Sequence, residues 1–129
     1  MVAGYSVMTP DGSASAIGWS ETGQGRMAGT PWQYRSRYLE NSPIFYFDRI
    51  QTPVLVVQGA LDATNPVHLA DQVFVALRRL GKDVAYARYE GEEHWQGTWR
   101  PANVVDYWNR VIEWLGQHLR EPASVGQKQ

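Results

Sequence analysis

A carboxylate and an imidazole stand at matching points of two successive segments: Asp62, three residues after Gly59, and His94, three residues after Gly91. His94 nearly ends the run YEGEEHW, Tyr89 to Trp95, behind three acidic residues and a glycine. An imidazole with a carboxylate on one ring nitrogen is held in one tautomer and its cationic form is stabilised, so the other nitrogen can take a proton from a nucleophile. In this arrangement Asp62 orients and His94 is the base. A metal site from Glu92, Glu93 and His94 would place adjacent loop residues where metal-binding sequences use a spacing such as H-E-x-x-H, so no metal and no cofactor is expected.

The elements that must position this pair can be read from periodicity. TPVLVVQG, from Thr52, is a short apolar, largely β-branched run bounded by Pro53 and Gly59, the pattern of a strand buried on both faces. After it, Asn65 can cap and Pro66 can open a helix whose apolar positions Ala70, Val73, Phe74, Leu77 and Leu80 recur at spacings of three and four, with Gly81 as its stop. DVAYARYEG, Asp83 to Gly91, reads as a second, less apolar strand near a sheet edge. Pro101 opens a last helix with the stripe Val104, Trp108, Val111, Ile112, Leu115 and Leu119, which places Trp108 in the core. His68 and His118 lie off these stripes and read as exposed, while Trp95 and Trp99 read as packing around His94. Upstream, Thr9 to Thr30 is crowded with Gly, Ser and Thr and reads as a long loop. Strand, helix, strand, helix predicts an α/β sheet with parallel strands, in which active groups gather beyond the carboxyl ends of the strands. Parallel neighbours bring Asp62 and His94 to one edge.

Composition removes whole classes of function. The 129 residues are 43% hydrophobic and 19% charged, which suits one globular domain over about residues 1–120, followed by a polar tail over 121–129. Twelve basic against thirteen acidic residues give a net charge of -1 with no long run of either sign, so nucleic acid is not an expected partner. No apolar run reaches the ~20 residues of a membrane helix and no signal peptide is evident, which predicts a cytoplasmic protein with no membrane partner. With no cysteine, thiol chemistry is excluded.

From about Gly29 to Leu119, and most clearly from Ser42 to Trp95, the chain resembles the C-terminal end of the prolyl oligopeptidase family of serine peptidases, the group that includes acylaminoacyl and dipeptidyl peptidases. Four motifs carry the resemblance in order: SP at Ser42 and Pro43; G-x-x-D-x-x-x-P at Gly59, Asp62 and Pro66; L-x-x-x-G at Leu77 and Gly81; and Y-x-G-E-x-H at Tyr89, Gly91, Glu92 and His94. The resemblance implies a partial α/β-hydrolase fold, with about three parallel strands (VAGYSV, PVLVVQ and VAYARY) flanked by helices. It also implies that Asp62 and His94 are the acid and base of a serine triad, whose order along the chain in α/β-hydrolases is serine, acid, histidine. Trp95 stands where many relatives have glycine, and Asn65 where a small aliphatic residue is common.

No G-x-S-x-G occurs in these residues: Ser6 is followed by Val7 and Met8, and neither Ser13 nor Ser15 sits in a strand-to-helix elbow. The chain is therefore expected to carry the triad acid and base without the nucleophile and to be inactive alone, acting on a peptide or small ester once a serine-bearing half completes it. A sheet edge left open near Ala3 predicts a homo-oligomer. The competing expectations are a stand-alone oligomer-forming or interaction module without catalysis, and a hydrolase with a new site in the Gly/Ser-rich loop.

Overall fold

The computed structural model describes residues 15–119. Two parallel strands form its centre, β1 (Val54–Gly59) and β2 (Val84–Tyr89), paired in register from Val54 opposite Val84 to Gly59 opposite Tyr89. Among the described residues the α-helices in chain order are α1 (Ser15–Glu21), α2 (Arg35–Glu40), α3 (Val67–Arg79) and α4 (Pro101–His118), with 3-10 helices over Pro43–Arg49 and Gln96–Thr98. The third predicted strand, VAGYSV, lies outside the described residues, so the sheet seen among them has two strands.

Alternation along the strands sends side chains to two faces, and each face is covered by a different helix. On one, Leu77 of α3 is fully buried with Phe47 and Val84, joined by Val54, Val56, Val73 and Phe74. On the other, Ala87, Tyr89 and Trp99 pack with Val57 and with Val104 and Tyr107 of α4. Two tyrosines of β2 tether it to both helices: the Tyr86 hydroxyl donates to Asp71 of α3 at 3.0 Å and the Tyr89 hydroxyl to Asp106 of α4 at 2.8 Å. Burial and the neighbouring carboxylate push both phenols up to about 12.

The structure departs from the sequence expectations at four places. The predicted loop over Thr9 to Thr30 contains α1, two turns too short to show an apolar period and interrupted by Gly18. Asn65 does not cap α3: the helix starts at Val67 after Pro66, with no side-chain cap, because the Asn65 backbone N–H is drawn back to the Asp62 carboxylate. Gly81 ends the helix as expected, in the left-handed region at φ 67°.

The third departure is in α4, whose apolar residues divide between two faces. Val104, Tyr107, Val111 and Trp114 are half-buried, whereas Val105, Trp108, Ile112, Leu115 and Leu119 are exposed. Trp108 is thus not core in this chain, and the stripe predicted from periodicity faces outward over most of its length. The fourth concerns the indoles near His94: Trp99 is buried as expected, but Trp95 is exposed.

Candidate active site

The site is built where β1 and β2 end. Beyond the sheet the two chains stay zipped, with the Ala60 N–H donating to Tyr89 O at 2.9 Å and the Leu61 N–H to Glu92 O at 2.8 Å. This approach requires glycine at position 59, where a Cβ would collide with the Glu93 carbonyl and lie 2.6 Å from that of Glu92. Gly91, at φ 78°, turns the second chain so that it can run alongside the first.

The loop after β2 is pinned at Glu90, Glu92 and Glu93 to the start of α4 and the two residues before it. The Arg100 side chain donates to Glu90 O at 2.6 Å. The buried Glu92 carboxylate accepts the Arg100 backbone N–H at 3.2 Å, the Arg100 Nε–H at 2.9 Å and an Asn103 amide proton. Burial works against its charge, but the donors from Asn103 and Arg100 prevail and hold it below the ordinary glutamate value. Its position at the start of α4 also suits the positive end of the helix dipole. Glu93 O takes the Trp99 indole proton at 2.7 Å, and that ring rests 4.8 Å from Tyr89 and 5.9 Å from Tyr107, centroid to centroid.

His94 follows directly, and its Nδ1 lies 2.8 Å from Asp62 Oδ2. The two residues that the sequence reading paired are therefore in contact across one strand–helix–strand unit. Asp62 is saturated with donors: Oδ1 takes the N–H groups of Thr64 at 2.9 Å and Asn65 at 2.7 Å, and Oδ2 takes Gln58 Nε2 at 2.8 Å as well as His94. Burial favours the protonated acid, yet the hydrogen bonds from Asn65, His94 and Gln58 outweigh it, so Asp62 is held below the ordinary aspartate value. An ionised carboxylate can only accept, so Nδ1 of His94 carries a proton and Nε2 of the neutral ring keeps its lone pair.

Exposure divides the pair by role. The Asp62 side chain is 4% exposed and that of His94 50%. Among the described residues Nε2 has no hydrogen-bond partner. A buried acid behind a half-open imidazole is the layout of an orienting carboxylate and a base that must reach an external group. Sequence reading missed Gln58, Arg100 and Asn103. Gln58 was visible as the one amide in the apolar run VLVVQG, whereas Arg100 and Asn103 look in sequence like ordinary residues at a helix start. His68 is exposed, and His118 bonds Trp114 O and Asp83 at the start of β2, the opposite end of the strand from the site, so neither contributes here.

The chain is similar to several known proteins. The "Uncharacterized peptidase YuxL" of Bacillus subtilis is 30% identical over 98 residues, covering 70% of this chain and 15% of that protein. A Caenorhabditis elegans protein named dipeptidyl peptidase family member 6 is 30% identical over 96 residues, covering 72% and 13% respectively. The chain thus spans about a seventh of the length of these curated relatives. Among solved structures, an uncomplexed Pyrococcus horikoshii acylaminoacyl peptidase superposes with a TM-score of 0.72 at 17% identity, over 98% of this chain and 20% of that one. A Mycobacterium tuberculosis puromycin-hydrolyzing peptidase superposes with a TM-score of 0.58 at 32% identity, over 77% and 15%. The fold is part of an α/β-hydrolase, and the match of residues 1–122 to the prolyl oligopeptidase family shows that this chain belongs to that family of serine peptidases.

Proposed function

We propose that the chain supplies the acid, Asp62, and the base, His94, of a serine peptidase or esterase site whose nucleophilic serine lies outside these 129 residues. The observation that carries this reading is the 2.8 Å contact between a buried carboxylate and the Nδ1 of a half-exposed imidazole. In acyl transfer, Nε2 of His94 takes the serine proton as the hydroxyl oxygen bonds to the substrate carbonyl carbon, then returns it to the leaving amine or alcohol. Asp62 stays ionised throughout and keeps the ring oriented. The substrate is a peptide or a small ester. Oxyanion donors beside the serine would complete the site and supply a large share of the rate.

A fluorophosphonate probe, read by intact mass, tests this. The chain alone takes no adduct; joined to a segment carrying a G-x-S-x-G elbow it does, and His94→Ala loses it. An adduct on the chain alone would locate a nucleophile within it, and labelling of the joined form that survives His94→Ala would overturn the assignment of the base.

A second reading, an oligomer-forming module, is favoured by the outward stripe of α4, where Trp108, Ile112 and Leu115 lie exposed on one face. Here another copy of the chain covers the stripe. Light scattering on the purified chain decides it: a monomer at high concentration removes this reading.

A further inference from the structure

Gln58 is the last side chain of β1 before Gly59, and its amide does not point to solvent. Nε2 lies 2.8 Å from Asp62 Oδ2 and 2.9 Å from Asn65 O, so these two contacts use both amide protons, with Gly59 O more distant at 3.3 Å. The acceptor side of the carboxylate is equally full. Oδ1 holds two backbone N–H groups, and Oδ2, which offers two in-plane lone pairs, receives Gln58 on one and His94 on the other. Turning the carboxylate about its Cβ–Cγ bond would break donors on both oxygens.

We propose that Gln58 is a positioning residue for the Asp62–His94 pair, its amide occupying one lone pair of Oδ2 and confining the imidazole to the other. The inference rests on reading these two residues as acid and base. Gln58 touches neither the reacting nitrogen nor the substrate side of the ring; it acts through Asp62. Without the amide, Oδ2 retains one donor, the carboxylate can rotate against the backbone N–H groups, and the imidazole loses the single direction from which Nδ1 can donate. A purely structural role, closing the loop through Asn65 O, would leave the His94 ring unaffected.

Long-range 1H–15N spectra of the imidazoles in the 129-residue chain separate these roles. The wild-type chain shows His94 as one tautomer, protonated at Nδ1. In Gln58→Leu that single pattern gives way to a mixture, and the Nδ1 proton exchanges with water at least about tenfold faster, the factor expected for a hydrogen bond to a charged group. The His118 signals and the β1–β2 amides stay where they were. Gln58→Met, similar in length but with no amide donor, gives the same loss and decides the matter where Gln58→Leu does not fold. A single tautomer with slow exchange in the Gln58 variant, alongside its loss in Asp62→Asn, overturns the role of Gln58 and leaves the acid–base pair standing. A His94 pattern unchanged by Asp62→Asn removes the pair itself, and the role of Gln58 with it.

Discussion

Gly59 and Glu92 meet backbone against backbone: a Cβ on the glycine would lie 2.6 Å from the Glu92 carbonyl oxygen, and it would also strike the Glu93 carbonyl. The loop that carries Asp62 and the loop that carries His94 therefore share one wall, which leaves no room for a side chain between them. Gly59→Ala forces one loop away from the other. Overpacking of this kind costs about 1–3 kcal/mol, read as a lower urea midpoint, and the His94 Nδ1 proton should lose its protection in the same variant. An unchanged midpoint would mean that the wall gives way easily.

Asp62 also makes stability depend on acid. Its value in the folded chain lies below the ordinary aspartate value of ~3.9, so its contribution is fully present above that pH and is lost as pH falls through the lower folded value. Thermal melts between about pH 2 and pH 6 should show the wild-type chain losing stability more steeply with acid than Asp62→Asn, which has no proton to take up there. Glu92 and Asp106, also held below their ordinary values, titrate in both proteins and leave the difference to Asp62. Parallel curves would show that the Asp62 hydrogen bonds contribute nothing that protonation removes.

The open stripe of α4 makes a separate prediction. Ile112 is 66% exposed, and exposed single sites usually change stability by no more than about 0.5 kcal/mol. Ile112→Glu should therefore keep the fold of the single chain, read as an unchanged far-UV spectrum, while shifting the light-scattering mass from an assembly toward the 14.6 kDa of one chain. Association that persists in the variant would transfer the contact to another surface, such as the sheet edge expected near Ala3.

What sequence could reveal followed from where each constraint acts. The strands are packed on both faces and α3 on one, so each carries a clear apolar period, and the chain order of Gly59, Asp62, Gly91 and His94 was enough to bring acid and base together once the strands were parallel. Periodicity failed in α4 for a physical reason: an apolar stripe states that a face wants cover, not that these 129 residues provide it, and Trp108 and Ile112 stay more than half exposed among the described residues. The polar anchors of the His94 loop were hidden because Arg100 and Asn103 act through contacts with Glu92 that no local pattern encodes. Asn65 misled because its side chain looked like a cap while its backbone was already committed to Asp62.

Trp99 holds the residue before His94 by two separable means, a hydrogen bond from its indole to Glu93 O at 2.7 Å and ring contacts with Tyr89 and Tyr107. Trp99→Phe keeps most of the ring and removes the donor, which should lower stability by about 1 kcal/mol. Trp99→Ala also empties a buried site between the strand and α4, and about 3–5 kcal/mol is expected from the lost contact and the cavity. Urea unfolding measures both, and hydrogen exchange at Glu93 to Gln96 reports the loop directly. The hydrogen bond positions the loop if Trp99→Phe speeds exchange there while the β1–β2 amides stay protected. Equal exchange in parent and Trp99→Phe would leave the ring packing, together with the Glu92 contacts to Arg100 and Asn103, as what keeps His94 in reach of Asp62.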